Sequence, residues 1–258
     1  MRVLLIICLS FFLFSCNSSS KKNPDKAIDD TARMENPVTT VTIAPVKISA
    51  TDIPAAIKVN GKVQEAWTWT DNLGENILIT SYVGPYDDKR KNEFGEEGQT
   101  AELHAALFLK KVEQYDNKWM LNDEERACPF DITCGFIPNS TTITDIDKDG
   151  FAEVKLQYTV ACRSDVSPAA MKIILYENGE KYSLNGLMWL PYSPDLKYDV
   201  TEKDVNLESA TKLKEESAEM LRTFGRYQSE KEFATAPPEF LAFARSEWLK
   251  YNKEKMGE

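Results

Sequence analysis

The sequence predicts a mainly β protein: an antiparallel β-meander or sandwich followed by two α-helices. Short stretches rich in β-branched and aromatic residues alternate with turn signals across residues 38–192. Asn-Gly pairs at 60–61 and 178–179 predict two tight hairpins, because both residue types accept the positive φ of a type I′ turn. After Pro194 the apolar residues recur at helical spacing instead.

The first fifteen residues predict an export signal. One arginine precedes a nearly unbroken apolar run from Val3 to Phe14, which is shorter than the roughly 20 residues that a membrane-spanning helix needs. The run ends in Leu13-Phe14-Ser15-Cys16, which resembles a bacterial lipoprotein box. We therefore expect the mature chain to start at Cys16 and to be anchored to the outer membrane by acyl chains on that cysteine. The alternative is plain secretion, with Cys16 as an ordinary residue.

Three segments follow the signal peptide, residues 1–15. Residues 16–37 are polar, carry almost no large apolar side chains and predict a lipidated flexible tether. Residues 38–195 predict one β-rich domain, and residues 196–258 a helical C-terminal extension. The formal net charge of −10 argues against nucleic acid as a partner and against electrostatic adhesion to anionic lipid. Membrane contact is therefore expected through the lipid anchor.

Within the β-rich domain, strands and turns are predicted in order. Residues 57–63 form the first candidate hairpin. Trp67 and Trp69 then share one face of a strand, where packing in the core is favoured over stacking on sugar rings. Residues 71–74 predict the next turn. The charged stretch 84–100 lacks periodicity and predicts a surface loop.

Two helices are predicted in the C-terminal extension. The first spans residues 202–224, with Thr201 and Asp204 as its N-terminal capping box. The second begins at Pro237 and carries an apolar stripe that includes Trp248. We expect the two helices to pack on one another or on the sheet. A partner-binding helix is the alternative.

The acidic stretch TDIDKDGFAE, residues 144–153, predicts a cation site in a loop between two strands. Its candidate oxygen ligands are Asp145, Asp147, Asp149, the backbone carbonyl of Phe151, and Glu153. Ca²⁺ takes six to eight hard oxygen ligands, and Gly150 permits the sharp turn that would direct them inward. Leu156 stands where an EF-hand places glutamate, which argues against an EF-hand. Residues 141–144 and 154–160 are strand-like, so the segment resembles the calcium loops of FG-GAP repeats. A structural Ca²⁺ is favoured over Mg²⁺ and over a solvated acidic turn.

Cysteine usage fits an exported protein with one disulfide. Once the signal is removed and Cys16 is lipidated, Cys128, Cys134 and Cys162 remain. Extending the hairpin around the acidic loop in plain register places residues near 134 opposite residues near 162. This register indicates a Cys134–Cys162 pair, although Gly135 can bulge the strand.

Four motifs in order resemble a little-characterised family of exported Bacteroidetes proteins that are labelled as surface polysaccharide biosynthesis proteins. The motifs are CPFDIT (128–133), TDIDKDGFAEVKLQY (144–158), CRSDVSP (162–168) and KYSLNG (181–186), and the resemblance covers roughly residues 50–190. It implies that Cys128 pairs with Cys162, against the register argument, so the pairing stays open. It also implies a non-catalytic accessory or glycan-binding role in surface polysaccharide biosynthesis or display.

The sequence offers little for catalysis. His104, the single histidine, falls on the strand face opposite the alternating apolar residues of 103–109, which favours a surface role over that of a general base. No G-x-S-x-G elbow, H-E-x-x-H motif or glycine-rich phosphate loop is present. Arg163, Ser164 and Asp165 are best explained as a turn. The alternatives are a carbohydrate-active hydrolase that uses paired carboxylates, and an envelope scaffold that binds protein partners through an exposed helical stripe around Trp248.

Overall fold

The computed structural model describes residues 42–165, 167–191, 197–212 and 214–254. The signal peptide, Cys16 and the tether lie outside these ranges, so their assignments stay predictions. Within the described ranges no helix is long and apolar enough to cross a bilayer.

The described residues confirm the predicted mainly β class, with ten strands followed by a short and a longer helix. The strands are β1 Val46–Ile48, β2 Lys62–Asp71, β3 Gly74–Asp88, β4 Gly98–Lys110, β5 Tyr115–Cys128, β6 Asp131–Phe136, β7 Thr142–Thr144, β8 Glu153–Arg163, β9 Ala170–Glu177 and β10 Glu180–Leu187. The helices are α1 Glu216–Arg222 and α2 Pro238–Tyr251.

These strands form a sandwich of two antiparallel sheets. Sheet 1 has the order β1-β2-β3-β4-β5, and sheet 2 has the order β10-β9-β8-β6, with β7 also paired to β8. One buried cluster joins Trp69, Leu78 and Leu107 of sheet 1 to Leu156 and Ile174 of sheet 2, so the sheets face each other across it. Trp67 packs against the same cluster, which confirms that the two tryptophans share a core-facing side of β2.

The outer face of each sheet is covered by a further layer. Residues 48–63 place Ile57 against Ile77 and Ile79 on the outer face of sheet 1. The C-terminal segments cover the outer face of sheet 2, where Trp248 of α2 is completely buried and donates its indole N–H to the Gly225 carbonyl at 2.8 Å. The apolar stripe of α2 is therefore part of the core, as the packing interpretation expected.

Two turn assignments need correction, and the turns at 71–74 and 178–179 are confirmed. Residues 57–61 belong to no strand, and only Gly61 of the Asn-Gly pair has a positive φ, so the predicted hairpin at 57–63 does not form. The surface loop predicted at 84–100 covers only residues 89–97, because the pairing of β3 with β4 extends to Asp88 and Gly98. Asn178 and Gly179 have φ values of 43° and 91° and close the β9–β10 hairpin as predicted.

The first predicted helix, residues 202–224, is also wrong in extent, because α1 covers only its last third. The backbone of the preceding residues pairs elsewhere: Leu207 N donates to the Tyr227 carbonyl at 3.0 Å, and Tyr227 N donates to the Val205 carbonyl at 3.1 Å. Val205 is fully buried in the core of the C-terminal layer. The burial of Val205 and this non-helical backbone pairing thus override the helical spacing of the apolar residues.

The disulfide joins Cys128 to Cys162, with a Cα–Cα distance of 5.5 Å, and Cys134 is free. The Cys134–Cys162 pair predicted from strand register is therefore wrong, and Cys128 pairs with Cys162 as the family resemblance implies. Thr142 pairs with Lys155, and Phe136 pairs with Tyr158. Between these two pairs, five residues (137–141) lie opposite only two residues of β8 (156–157). The three extra residues shift the register.

Candidate metal centre

The acidic loop connects β7 to β8 as predicted, with Thr144 paired to Glu153 where the strands begin to separate. Its backbone turns sharply, since Lys148 has a φ of 64° and Gly150 a φ of 86°. The Asp149 carboxylate accepts the Phe151 amide at 2.8 Å. Such contacts from an aspartate to the amide two residues ahead favour a tight turn in this loop.

Two overlapping groups of carboxylates converge at this loop. Oxygen atoms of Asp145, Asp147 and Asp149 lie within 4.8 Å of one another, and so do oxygen atoms of Asp147, Glu153 and Glu177. Asp147 belongs to both groups. Hard oxygen ligands of this kind suit a divalent cation such as Ca²⁺.

Glu177 is the residue that sequence reasoning missed. It ends β9, and the pairing of Val154 with Tyr176 places it beside Glu153 at the start of β8. Its Oε1 atom is buried and has no hydrogen-bond partner among the described residues. A buried acceptor without a donor is uncommon in proteins, and a cation would satisfy it. No local signal identifies Glu177, because its place in the site depends on strand pairing.

Glu153, a predicted ligand, groups with Asp147 and Glu177 and not with Asp145 and Asp149. It is fully buried and groups with Glu177, and it accepts the Ile146 amide at 2.9 Å and the Thr144 hydroxyl at 2.9 Å. These bonds hold the first residues of the loop against β8. The Phe151 carbonyl lies in the same loop, and its role as a ligand stays a prediction.

Burial makes this concentration of carboxylates costly without a counter-ion. Desolvation raises the pKa of Asp147 and of Glu153 above the ordinary values. For Glu177, desolvation and the neighbouring charges of Asp147, Asp149 and Glu153 raise the pKa to about 8. Each shift means that the folded protein disfavours the ionised form, and a bound divalent cation would reverse that preference.

The acidic loop also contacts sheet 1 at the turn between β2 and β3. Asn72 donates its backbone amide to the Gly150 carbonyl at 2.9 Å and its side-chain amide to the Asp149 carbonyl at 3.1 Å. The Ala152 amide in turn donates to Asp71 Oδ2 at 3.3 Å. Gly150 is required here, because a Cβ atom would lie 2.2 Å from the Asn72 amide nitrogen. The loop therefore joins the two sheets at one end of the sandwich.

The other polar motif, CRSDVSP, is a turn only in part: Cys162 and Arg163 end β8, and Ser164 and Asp165 form the bend that follows. Asp165 accepts the Ser167 amide at 2.9 Å, and Arg163 forms two hydrogen bonds with the Glu254 carboxylate at 2.9 and 3.0 Å. Comparison with protein-family models, with curated proteins and with solved structures finds no match for this chain. The geometry of the acidic loop is therefore the main support for a functional assignment.

Replacing Glu177 with glutamine should stabilise the protein in excess EDTA, and more at pH 8 than at pH 5. The pKa of Glu177 is about 8 in the folded protein and 4.5 ordinarily, so ionisation of Glu177 costs the wild-type protein more stability as the pH rises from 4.5 to 8. Glutamine does not ionise, so the variant avoids this loss. Thermal melts of both proteins at the two pH values measure the difference. Exposed Glu180 provides the control substitution, Glu180→Gln. An equal gain at both pH values would contradict the assigned burial of the Glu177 charge.

Proposed function

We propose that this chain is a non-catalytic lipoprotein of the bacterial envelope, in which Ca²⁺ bound at the acidic loop stabilises the β-sandwich. One observation supports the calcium assignment: two groups of carboxylates that share Asp147 meet at a loop whose backbone is hydrogen-bonded to the opposite sheet. The groups are Asp145, Asp147 and Asp149 in the loop, and Asp147 with Glu153 and Glu177 of the adjoining strands. An ion there would fix the β7–β8 connection, the end of β9 and the β2–β3 turn together.

The ligand chemistry favours Ca²⁺ over Mg²⁺. Ca²⁺ accepts six to eight oxygen atoms in irregular geometry, and the two carboxylate groups that share Asp147 offer such a set. Mg²⁺ demands a compact octahedron and retains several waters, which a partly buried cluster accommodates poorly. A structural role follows from the position of the loop between the sheets.

The calcium proposal predicts a large rise in melting temperature when Ca²⁺ is added to EDTA-treated protein. At about one hundred times the dissociation constant, a ligand that binds only the folded state contributes about 2.7 kcal/mol. For a domain of this size that corresponds to a shift of about 5–10 °C. Scanning calorimetry with millimolar CaCl₂ measures the shift, and MgCl₂ should give a smaller one.

The matched variants are Asp147→Asn and Asp165→Asn. Asp147 belongs to both carboxylate groups, so its loss should abolish the calcium-dependent shift. Asp165 sits in another turn away from the cluster, and its amide variant should respond to Ca²⁺ like the wild-type protein. An unchanged melting temperature of the wild-type protein in millimolar Ca²⁺ would refute the calcium site.

The accessory role in surface polysaccharide biosynthesis or display, including any glycan binding, rests on the resemblance of the four motifs, and the envelope location rests on the lipoprotein box. A strain lacking the gene should lose or change its surface polymer, and wild-type protein should restore it. Cys16→Ala tests the anchor, because fatty-acid labelling of the protein should disappear in that variant. An unchanged polymer profile in the deletion strain would remove the pathway assignment while leaving the calcium site untouched.

A further inference from the structure

The outer face of sheet 1 contains a cavity of about 180 Å³ that none of the functions above uses. It lies where the segment 58–60 passes over strands β3, β4 and β5. Ile79, Ala106 and Met120 are cross-strand neighbours and form an apolar row in its wall. Met120 is 61% exposed, so this part of the wall is open to solvent.

The next cross-strand row on the same face is polar. Ser81, His104 and Asn122 are neighbours on β3, β4 and β5, and all three line the cavity. His104 Nδ1 donates to Asn122 Oδ1 at 2.6 Å, and Asn60 Nδ2 lies 3.0 Å from His104 Nε2. The cavity is therefore apolar along one row and hydrogen-bonding along the adjacent one.

The polar row has hydrogen-bonding capacity to spare. His104 bonds to the side-chain oxygen of Asn122. The side-chain nitrogen of Asn122 makes no hydrogen bond with any described residue. Likewise, the side-chain oxygen of Asn60 accepts no hydrogen bond within the described ranges. One unused donor and one unused acceptor match a hydroxyl group, which can both accept and donate.

We propose that this cavity binds a small neutral ring compound that bears one hydroxyl group. The ring would contact the apolar row, and the hydroxyl would bond to Asn122 in the polar row. The size fits, since an apolar cavity of about 150 Å³ holds one benzene ring. A neutral ligand is favoured over an anion because the Glu102 carboxylate already lies 3.2 Å from His104 Nε2. An apolar pocket with a few convergent polar groups is the usual form of a small-molecule site.

The single histidine of the chain provides a direct probe of this site. The imidazole of His104 gives one set of ¹H–¹⁵N correlations, and these should shift on titration of the purified protein with phenol. We expect the shifts to saturate with a dissociation constant in the millimolar range, because so small a ligand makes few contacts. Toluene, which has a methyl group in place of the hydroxyl, serves as the matched ligand. The absence of a saturable shift with phenol would overturn the proposal.

Two variants separate the apolar and polar contributions. Ala106→Leu fills the cavity and should raise the dissociation constants of both ligands at least tenfold. Asn122→Ala, at an exposed position, also removes the acceptor of His104 Nδ1, so ligand shifts are measured against the ligand-free variant. The substitution should weaken the binding of phenol about three- to tenfold and leave the binding of toluene unchanged, because of the two ligands only phenol loses a hydrogen bond. Exposed Ala55 lies outside the lining, so Ala55→Leu should bind both ligands as the wild-type protein does.

The variants can also overturn the proposal. Unchanged phenol affinity in Ala106→Leu would mean that the histidine reports a different surface. Equal losses of phenol and toluene in Asn122→Ala would remove the hydroxyl assignment. Because the readout is His104 and no metal is involved, these outcomes are independent of the calcium titration.

Discussion

Replacing Glu247 with alanine should lower the free energy of unfolding by about 3–5 kcal/mol, because it leaves a charged lysine buried without a counter-ion. Lys155 lies on the outer face of sheet 2, under the C-terminal layer, with a completely buried side chain. Its ammonium group lies 2.5 Å from Glu247 Oε2 and 5.1 Å from the centre of the Tyr251 ring. Desolvation lowers the pKa of Lys155 despite the attraction of Glu247.

Two comparisons isolate the buried charge. Lys250 also pairs with Glu247, but its side chain is 57% exposed, so Lys250→Ala should cost no more than about 1 kcal/mol. The double variant Lys155→Met/Glu247→Met removes both charges and should recover most of the loss. Urea denaturation measures all three variants. A cost below about 1 kcal/mol for Glu247→Ala would show that water or another group solvates Lys155.

The pH dependence of Glu247→Ala provides an independent test. A lysine whose pKa is lowered by folding makes the unfolded state bind more protons, so stability rises with pH where the lysine titrates. Glu247 raises the pKa of Lys155 against the effect of desolvation, so its loss lowers that pKa further. The stability deficit of the variant should therefore shrink as the pH rises through the alkaline range. A deficit that does not change with pH would attribute the loss to packing.

Removing the disulfide should cost about 3–4 kcal/mol on the chain-entropy model. The bridge closes a loop between residues 34 apart in sequence and ties the end of β5 in sheet 1 to β8 in sheet 2. The double variant Cys128→Ala/Cys162→Ala frees that loop in the unfolded chain and should unfold at a lower urea concentration. Urea titration of the oxidised wild-type protein gives the reference.

Cys134→Ala is the matched control for the disulfide. Cys134 is half-buried, and desolvation raises the pKa of its thiol to about 11, so little thiolate exists to attack the bridge at neutral pH. Its replacement should therefore change stability by no more than about 1 kcal/mol and leave the disulfide intact. A loss in Cys134→Ala equal to that of the double variant would contradict the assigned pairing.

Features encoded within a few residues were predictable from the sequence. The Asn178-Gly179 hairpin forms because both residues take the positive φ that the turn requires. The acidic loop lies between two antiparallel strands because Gly150 and the alternating aspartates mark the turn locally. Three of the candidate ligands, Asp145, Asp147 and Asp149, converge for the same reason.

Features that depend on distant contacts were not predictable in the same way. Thr201 and Asp204 make only one of the two contacts of a capping box: the Thr201 amide donates to Asp204 Oδ1 at 2.7 Å. The Asp204 amide donates to the Thr201 carbonyl instead of its hydroxyl, and the next residues form turns. The backbone there pairs with Tyr227 instead. Glu177 enters the metal centre only through the β8–β9 register. Non-local pairing of this kind leaves no periodic signal in the sequence.

The layers of the fold follow the order of the chain: the segment before β2, sheet 1, sheet 2 and finally the C-terminal segments. A chain that folds from its N-terminus as it emerges would complete the sandwich before α2 appears. Until then the apolar outer face of sheet 2, which also carries Lys155, would stay exposed. Docking of α2 over this face would then be a late step of folding, and a chain truncated before α2 would expose an apolar sheet face that is prone to aggregation.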